Sequence, residues 1–259
     1  MTQNKYEEQR YWDNEARKEL YARYQLGVYS SFRVEEYASI VERFFIGVES
    51  KVVLDVGCGA GVSSLVAARK GLKVIGFDLS PNLVKQAVAL AGEEKDASPR
   101  FFVGDAEHMA IADESCDICF FGGLLHHFSR DYTQVIKEAY RVLKQGGCLV
   151  ALEPNLLNIP YRFSFYLVGR KEPHSVGEYP LSPLRLSRDL RYWFNDVRVY
   201  QFREEDIPFL RQLGPAWQGW LGRATGYVLV QLKNRLTAKM SRGTFFIVTA
   251  HRKSSAAST

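Results

Sequence analysis

The sequence is poor in cysteine, with only 4 among its 259 residues. Cys116 and Cys119 form one C-x-x-C pair, but no second pair follows and no histidine stands at zinc-finger spacing. This pattern argues against a zinc site and against a disulfide-stabilised scaffold. We therefore predict four free thiols and no bound metal.

Long apolar runs are also lacking. No stretch approaches the roughly 18 apolar residues of a membrane-spanning helix, and the N-terminal segment MTQNKYEEQR is polar rather than leader-like. The shares of hydrophobic residues (46%) and charged residues (24%) are those of an ordinary globular protein. We expect one large domain, residues 1–259, located in the cytoplasm.

Charge is distributed unevenly along the chain. Residues 1–150 contain 18 Lys and Arg against 21 Asp and Glu, whereas residues 151–259 contain 16 against 8. The basic half indicates either an anionic partner, such as a phospholipid surface, a phosphorylated substrate or nucleic acid, or simply a solvated surface. Both interpretations remain open at this point.

The most informative stretch is KVVLDVGCGAGVSS, residues 51–64. An apolar strand there ends in Asp55 and is followed by three glycines, which can adopt positive φ and let a ligand approach the backbone. These glycines are Gly57, Gly59 and Gly61. A dinucleotide loop has a glycine where this one has Val62, and a carboxylate at position 55 suits a cationic ligand better than a pyrophosphate.

Two later segments repeat the pattern of a strand that ends in an acid. The strand in KVIGFDLS ends at Asp78, and an acid about 20 residues beyond such a loop is placed to accept hydrogen bonds from ribose hydroxyls. The strand in RFFVGDAEHM ends at Asp105. Each acid alone could be a helix cap or turn former, and Ser80-Pro81 is typical of a helix start. Three acids at strand ends together favour a binding site, because ligands of open α/β sheets bind there.

In order and spacing, these segments of residues 51–155 resemble the motifs of the class I S-adenosylmethionine-dependent methyltransferases, particularly the ubiquinone and menaquinone methyltransferase-like group. The resemblance implies an α/β, Rossmann-like fold: a seven-stranded, mostly parallel sheet with an antiparallel last strand and helices on both faces. It implies S-adenosyl-L-methionine as the cofactor, with its methionine part on the glycine loop, its ribose at the second acid and its adenine at the third. The implied cofactor-binding residues are Asp55, Gly57, Cys58, Gly59, Gly61, Asp78, Leu79, Asp105, Ala106 and Gly122.

Two polar groups are candidates for the chemistry. His126 and His127 follow the fourth predicted strand, and an imidazole can take a proton near neutral pH, so either could be a catalytic base. We expect His127 to be the base, although either histidine could instead cap a helix or bond to the loop. Glu153 and Asn155, at the end of the fifth strand, are candidate contacts for the acceptor; an acid before Pro154 could equally begin a rigid loop.

Periodicity divides the chain into segments. They are a helical N-terminal lid (1–48), a cofactor-binding core (49–155) and two substrate-cap inserts (156–181 and 204–242). A helix is predicted to start at Ser182 or Pro183, and the resemblance implies an antiparallel edge hairpin from residues 196–203 and 243–252. The inserts combine aromatic and aliphatic residues with Arg and Lys, so they could enclose an apolar pocket, contact a membrane or simply pack on the domain.

We therefore predict methyl transfer to a small, apolar or aromatic acceptor at oxygen, nitrogen or activated carbon. The alternatives are a peripheral membrane enzyme that acts on a quinone, lipid or lipid-linked sugar through residues 204–242, and a non-catalytic S-adenosylmethionine-binding protein. An NAD-dependent oxidoreductase is disfavoured by Val62. The loop after the fourth strand argues against nucleic acid as the acceptor, because residues 122–125 are Gly-Gly-Leu-Leu and not the Asn/Asp-Pro-Pro-aromatic loop that binds a flipped base.

Overall fold

The computed structural model describes residues 3–17, 37–45, 51–94, 98–128, 131–157, 179–202 and 245–253. Within these ranges the chain forms one seven-stranded sheet with helices on both faces. The predicted insert 204–242 lies outside the described residues, as does most of the insert 156–181. None of the helices in the described ranges is both long enough and apolar enough to cross a membrane.

The regular elements follow the predicted order. The strands are β1 (Val52–Val56), β2 (Lys73–Asp78), β3 (Arg100–Val103), β4 (Cys116–Gly122), β5 (Leu143–Pro154), β6 (Asn195–Phe202) and β7 (Phe245–His251). The helices are α1 (Gln3–Arg17), α2 (37–44), α3 (Val62–Arg69), α4 (Pro81–Gly92), α5 (Thr133–Val142) and α6 (Pro183–Leu190), with a 3₁₀ helix at Leu125–Phe128.

The sheet is mostly parallel. Its strand order is β3-β2-β1-β4-β5-β7-β6, and β7 runs antiparallel to both β5 and β6. The predicted seven-stranded, Rossmann-like sheet with an antiparallel last strand is therefore confirmed. The first strand, β1, lies in the middle of the sheet, and β2 and β3 follow on one side of it. Strand β4 pairs with the other side of β1, so a topological switch point lies between β1 and β4. Ligands of open α/β sheets bind outside the strand ends at such a point.

Two apolar layers cover the sheet because side chains alternate along each strand. One layer joins Leu54 of β1 and Cys119 of β4 to α5 and α6. The other joins Val53 and Ile118, their immediate neighbours in sequence, to α2 and α3. The side chains of the central strands are buried in both layers, so the loops at the strand ends are supported by a closely packed core.

Helix starts agree with the sequence signals. Ser80 caps α4 and Ser182 caps α6, each side chain accepting a hydrogen bond from the backbone N–H three residues on. A proline occupies the first helical position in both helices. These caps fix where α4 and α6 leave the sheet edge.

The N-terminal residues have two different positions. Helix α2 belongs to the apolar layer on one face of the sheet, where Ile40 and Phe45 are buried. Helix α1 lies beside α4, and only a small apolar cluster joins them: Ala16 with Ala60 and Leu83, and Trp12 packed against it. Of the predicted lid, residues 18–36 lie outside the described residues.

Candidate cofactor and active site

The glycine loop after β1 is tightly bent and tied to β2. Gly57, Gly59 and Gly61 all have positive φ, of 69°, 55° and 84°. The N–H groups of Gly57 and Cys58 both donate to the carbonyl of Phe77, at 2.9 and 3.0 Å. A Cβ on Gly61 would come within 2.9 Å of the Ala87 Cβ, so a side chain there would displace α4.

Asp78, at the end of β2, holds the loop from the other side. One carboxylate oxygen accepts from the Gly59 N–H at 2.9 Å and the other accepts from the Ser80 N–H at 2.9 Å. Burial raises the pKa of Asp78, against the opposing effect of these two backbone hydrogen bonds. Asp78 therefore both forms the turn before α4, as a turn former does, and lies beside the glycine loop, as a cofactor-binding acid would.

Asp55 is the most buried of the three strand-end acids. Its Oδ2 accepts hydrogen bonds from Ser63 and Ser64 at the start of α3, both at 2.6 Å, while its Oδ1 has no hydrogen-bond donor. Burial raises the pKa of Asp55 to about 6, although both serine hydroxyls act to lower it. The cavity that Asp55 and these serines share with α2 measures about 10 Å³, room for roughly one water and far below the ~300 Å³ of a small ligand site.

Asp105 follows β3 and is covered by α1. Lys5 donates to its Oδ2 at 2.6 Å and also pairs with Glu107, whose backbone N–H donates to Asp105 Oδ1. Burial acts to raise the pKa of Asp105, but the hydrogen bond from Lys5 outweighs it with the help of the other contacts, so the pKa is lowered. The acid predicted to meet the adenine amine is thus bonded to an amine of its own chain.

The remaining predicted cofactor residues line the same edge. Leu79 follows Asp78, and Ala106 is buried in the apolar layer under α5. Gly122 ends β4, where a Cβ would come within 3.0 Å of the Phe120 ring. Burial raises the pKa of Cys58 well above its ordinary value, so this thiol is an unreactive part of the loop.

Glu153 is fully buried and organises the loop after β4. Its Oε1 accepts from the N–H groups of Leu124 and Leu125, at 3.1 and 2.7 Å, and its Oε2 accepts from the N–H of His126 at 3.2 Å. The same Oε2 lies 2.8 Å from His126 Nδ1. Direct contact between Glu153 and an acceptor stays a prediction, since the carboxylate here is occupied by the loop.

His127 is oriented by α1 rather than by the sheet. Its Nδ1 lies 3.0 Å from Glu8 Oε1, and the Trp12 ring meets the imidazole edge-on at 5.6 Å between centroids. The rings of His126 and His127 are 4.2 Å apart. The two adjacent histidines therefore lie together at the strand ends but take their carboxylate partners from different parts of the chain.

Asn155 is buried next to β5 and shapes the start of the first insert. Its side-chain Oδ1 accepts from the Leu157 N–H at 3.0 Å, an Asx turn. Its backbone forms an isolated bridge with Leu181 on the segment that leads into α6. An acceptor contact for Asn155, like that for Glu153, stays a prediction.

Comparisons with known proteins agree with this geometry. Residues 54–151 match a family described as "Methyltransferase domain". Residues 54–151 form a class I S-adenosylmethionine-dependent methyltransferase domain. The two relatives described next match longer stretches of this chain, of 165 and 185 residues.

Two curated relatives carry a more specific name. The chain is 33% identical over 165 residues to the demethylmenaquinone methyltransferase of Chlorobaculum parvum, covering 62% of this chain and 64% of that protein. It is 35% identical over 185 residues to the enzyme of the same name from Lactococcus lactis, covering 69% of this chain and 66% of that protein. The matches thus span slightly less than two thirds of these relatives' length.

A solved methyltransferase from Archaeoglobus fulgidus, described as S-adenosylmethionine-dependent, shares the fold. The TM-score is 0.62 at 18% identity, over 91% of this chain and 100% of that one. At this identity the likeness concerns the architecture alone.

The residues of the methyltransferase domain fit the cofactor that the family implies. A Cβ on Gly57 would come within 2.7 Å of the Leu124 side chain, so the loop can pack this closely against the segment after β4 only with a glycine at position 57. Carboxylates lie at or just beyond the ends of three neighbouring strands, which suits a ligand rich in hydroxyl and amine groups. Among the described residues, no group of three or more His, Cys, Asp or Glu side chains is placed to hold a metal ion.

Sequence reasoning missed the contribution of α1. Lys5, Glu8 and Trp12 all reach the methyltransferase strand ends, and they are spaced at three and four residues, which places them on one helix face. Asp13 adds contacts to the Ser80 hydroxyl and the Asn82 N–H at the start of α4. The polar and aromatic run YEEQRYWDNEAR is the signal that could have indicated this face.

Proposed function

We propose that the protein is an S-adenosylmethionine-dependent methyltransferase that acts on a small apolar or aromatic acceptor, with a hydroquinone as the first candidate. The observation that carries the proposal is the convergence of the glycine loop, Asp78, Asp105 and two carboxylate-bonded histidines at one sheet edge. The two relatives named demethylmenaquinone methyltransferase support a quinol as acceptor.

The proposed cofactor contacts follow the three strand ends. The glycine loop and Asp55 take the methionine part, Asp78 accepts from the ribose hydroxyls, and Asp105 with Ala106 takes the adenine. The cofactor, when bound, supplies an electrophilic methyl group. Asp78 is already supported by the Gly59 and Ser80 N–H groups, so it can accept from ribose without a change in the loop.

The acceptor side of the proposal needs positioning and a base. Holding the reacting atoms in line can supply on the order of 7–11 kcal/mol of the barrier. A hydroquinone hydroxyl or an activated carbon starts with a proton, and His127 is the proposed group that takes it, with His126 as the alternative. Both imidazoles lie in the 3₁₀ helix that follows β4, at the same sheet edge as the proposed cofactor contacts. A base has to lie near this edge if the acceptor binds next to the cofactor.

Calorimetric titration tests the cofactor half of the proposal. We expect S-adenosylmethionine to bind the wild-type protein, and Asp78→Ala to weaken binding by at least about tenfold because a hydrogen-bonded acceptor is lost. Asp196→Asn, at the exposed start of β6, is the control and should bind as wild type. Absence of binding by the wild type, or NAD displacing S-adenosylmethionine in competition, would overturn this half.

The acceptor half is tested by product mass. The protein is incubated with isotopically labelled S-adenosylmethionine and, separately, with a reduced naphthoquinol, a catechol and cell extract. A labelled methylated quinol, lost in His127→Gln but not in Asp196→Asn, is the expected result. Turnover of extract components but not of the quinol would replace the hydroquinone with the acceptor identified by mass.

Contact with a membrane surface is a second candidate feature of the same enzyme, and it favours a lipid-like acceptor. It is supported by α6 and the turn after it, where Leu184 and Tyr192 are 69% and 80% exposed and Arg188 and Arg191 are also exposed. The proposed location is the cytoplasm, with reversible binding to anionic bilayers. Co-sedimentation with phosphatidylserine vesicles decides this: binding that is equal on neutral vesicles and insensitive to salt would contradict it.

A further inference from the structure

Lys5, in the first turn of α1, contacts the acid that the proposed function assigns to the adenine. Its Nζ donates to Asp105 Oδ2 at 2.6 Å and also pairs with the carboxylate of Glu107. The side chain of Lys5 is 14% exposed, and those of Asp105 and Glu107 are 28% and 26% exposed. The ammonium group is therefore enclosed between two carboxylates beyond the end of β3.

Asp105 is held in place by its own loop as well as by Lys5. Its Oδ1 accepts from the Glu107 N–H at 2.9 Å, and its backbone pairs with that of His108. The imidazole Nδ1 of His108 lies 3.5 Å from Oδ2, the oxygen that Lys5 contacts. Because the loop already fixes the carboxylate, Lys5 is not needed to orient it. The main effect of Lys5 is to place a charged donor on Oδ2.

Two donors of different charge would use this oxygen. An ammonium group and a carboxylate carry full opposite charges, and the hydrogen bond between them is short and strong. The amino group of adenine has no net charge, so its bond to the same carboxylate lacks this Coulomb attraction. Since Oδ1 is held by the loop, Lys5 has to release Oδ2 before an adenine amino group can use it.

We propose that Lys5 is a specificity-determining residue at the adenine end of the cofactor site, where its ammonium group competes with the adenine amino group for Asp105 Oδ2. The proposal rests on the proposed function, in which Asp105 takes the adenine. Such competition reduces the affinity for a ligand whose base carries this amino group. A ligand whose base has a carbonyl oxygen there does not compete for the carboxylate, so Lys5 does not reduce its affinity.

The rest of α1 can stay in place when Lys5 moves. Asp13 accepts from the Ser80 hydroxyl and from the Asn82 N–H, which ties α1 to the start of α4. Asp13 is eight residues beyond Lys5, about 12 Å along the helix axis. Release of Asp105 therefore requires movement of the Lys5 side chain or of the first turn of α1 only. Substitution of Lys5 should change the adenine end and keep the contacts of Asp13.

Calorimetry with S-adenosylhomocysteine, which carries the adenosine but no methyl group to transfer, tests the competition. A partly exposed ion pair contributes little, so Lys5→Met should lower the Kd at 20 mM salt by about two- to fivefold. The difference from wild type should shrink at 0.5 M salt, because salt screens the ion pair in the wild type. Lys5→Arg, whose guanidinium also pairs with carboxylates, should bind as wild type. Arg10→Met removes an exposed cation of the same helix and is the matched control, with no change expected.

A second ligand shows whether the gain concerns Asp105. S-inosylhomocysteine has a carbonyl oxygen where adenine has its amino group, so Lys5→Met should not tighten its binding. In an Asp105→Ala background, Lys5→Met should no longer tighten S-adenosylhomocysteine, because the shared acceptor is gone. Hydrogen exchange of the α1 amides should rise only in the first turn of Lys5→Met. Equal gains for both ligands, with faster exchange along all of α1, would mean that the helix simply opens, and would overturn the inference.

The two proposals fail in different ways. If the wild type does not bind S-adenosylhomocysteine, or binds it equally well as Asp78→Ala, the proposed function fails. If binding depends on Asp78 but is unchanged or weaker in Lys5→Met, the proposed function stands and the competition by Lys5 is overturned.

Discussion

The site has two sides whose carboxylates are bonded in different ways. On the sheet side, Asp55, Asp78 and Glu153 accept mainly from neutral groups, namely serine hydroxyls and backbone N–H groups. On the α1 side, the two carboxylate contacts nearest the proposed site join charged or titratable side chains, namely Lys5 with Asp105 and Glu8 with His127. The sheet side is therefore built into the fold, whereas the α1 side is added to it.

The difference follows from burial. A carboxylate deep in the fold is stable only when its oxygens are hydrogen-bonded, and backbone groups supply donors that are already fixed in place. Partly exposed groups can use ion pairs, which add little to stability and are screened by salt. Because the apolar contact of α1 with α4 is small, we expect α1 to open locally at a lower free energy than any strand of the sheet.

Truncating one carboxylate on each side should give the largest difference between the two sides in the free energy of unfolding. Glu153→Ala leaves the buried N–H groups of Leu125 and His126 without an acceptor, so we expect a loss of about 3–5 kcal/mol in the free energy of unfolding. Glu8→Ala should lose at most about 1 kcal/mol. Urea unfolding monitored by circular dichroism measures both, and equal losses would contradict the distinction.

The pH dependence of stability should come from the sheet side. The pKa of Asp55 is raised to about 6 in the folded state, above the value of 3.8 expected when unfolded, so the folded protein holds this proton more tightly. The contribution of Asp55 to stability is therefore largest below pH 4 and falls as the pH rises to about 6. We expect the difference in unfolding free energy between wild type and Asp55→Asn to change by on the order of 2 kcal/mol over this window.

A second variant sharpens the assignment to Asp55. Ser64→Ala removes a donor to the carboxylate, so it should raise the pKa further and move the same decline to higher pH. The measurement is urea unfolding at several pH values between 4 and 8, without cofactor. Parallel pH profiles for wild type and Asp55→Asn would show that another group is responsible.

The sheet side could be predicted from the sequence, and the α1 side could not. The parallel strands follow from alternating apolar strands and helices, the edge hairpin was implied by the family resemblance, and the caps at Ser80 and Ser182 follow from Ser-Pro pairs. The pairing of Lys5 with Asp105 joins residues 100 positions apart. No local pattern encodes such a contact, because it depends on how α1 docks against α4.

The role of Glu153 shows a further limit. Its position at the end of β5 identified it as a polar group near the site, but LEPN gave no sign that its carboxylate is bonded to the loop after β4. The direction of that side chain is set by the loop after β4, whose three consecutive N–H groups point at it. The motif indicates that Glu153 lies at the sheet edge. The hydrogen-bond partners of Glu153 belong to the loop after a neighbouring strand, so the motif does not identify them.

The smallest expected effect concerns the ion pairs of α1. Lys5→Met removes the cation shared by Asp105 and Glu107, and we expect a loss of about 1 kcal/mol in unfolding free energy at 20 mM salt. The loss should shrink at 0.5 M salt, since partly exposed charges are screened there. Lys70→Met, which breaks the exposed pair with Glu42, is the matched control and should lose less. A loss above about 2 kcal/mol that persists in salt would mean that α1 is as much a part of the fold as the sheet, and the division into two sides would fail.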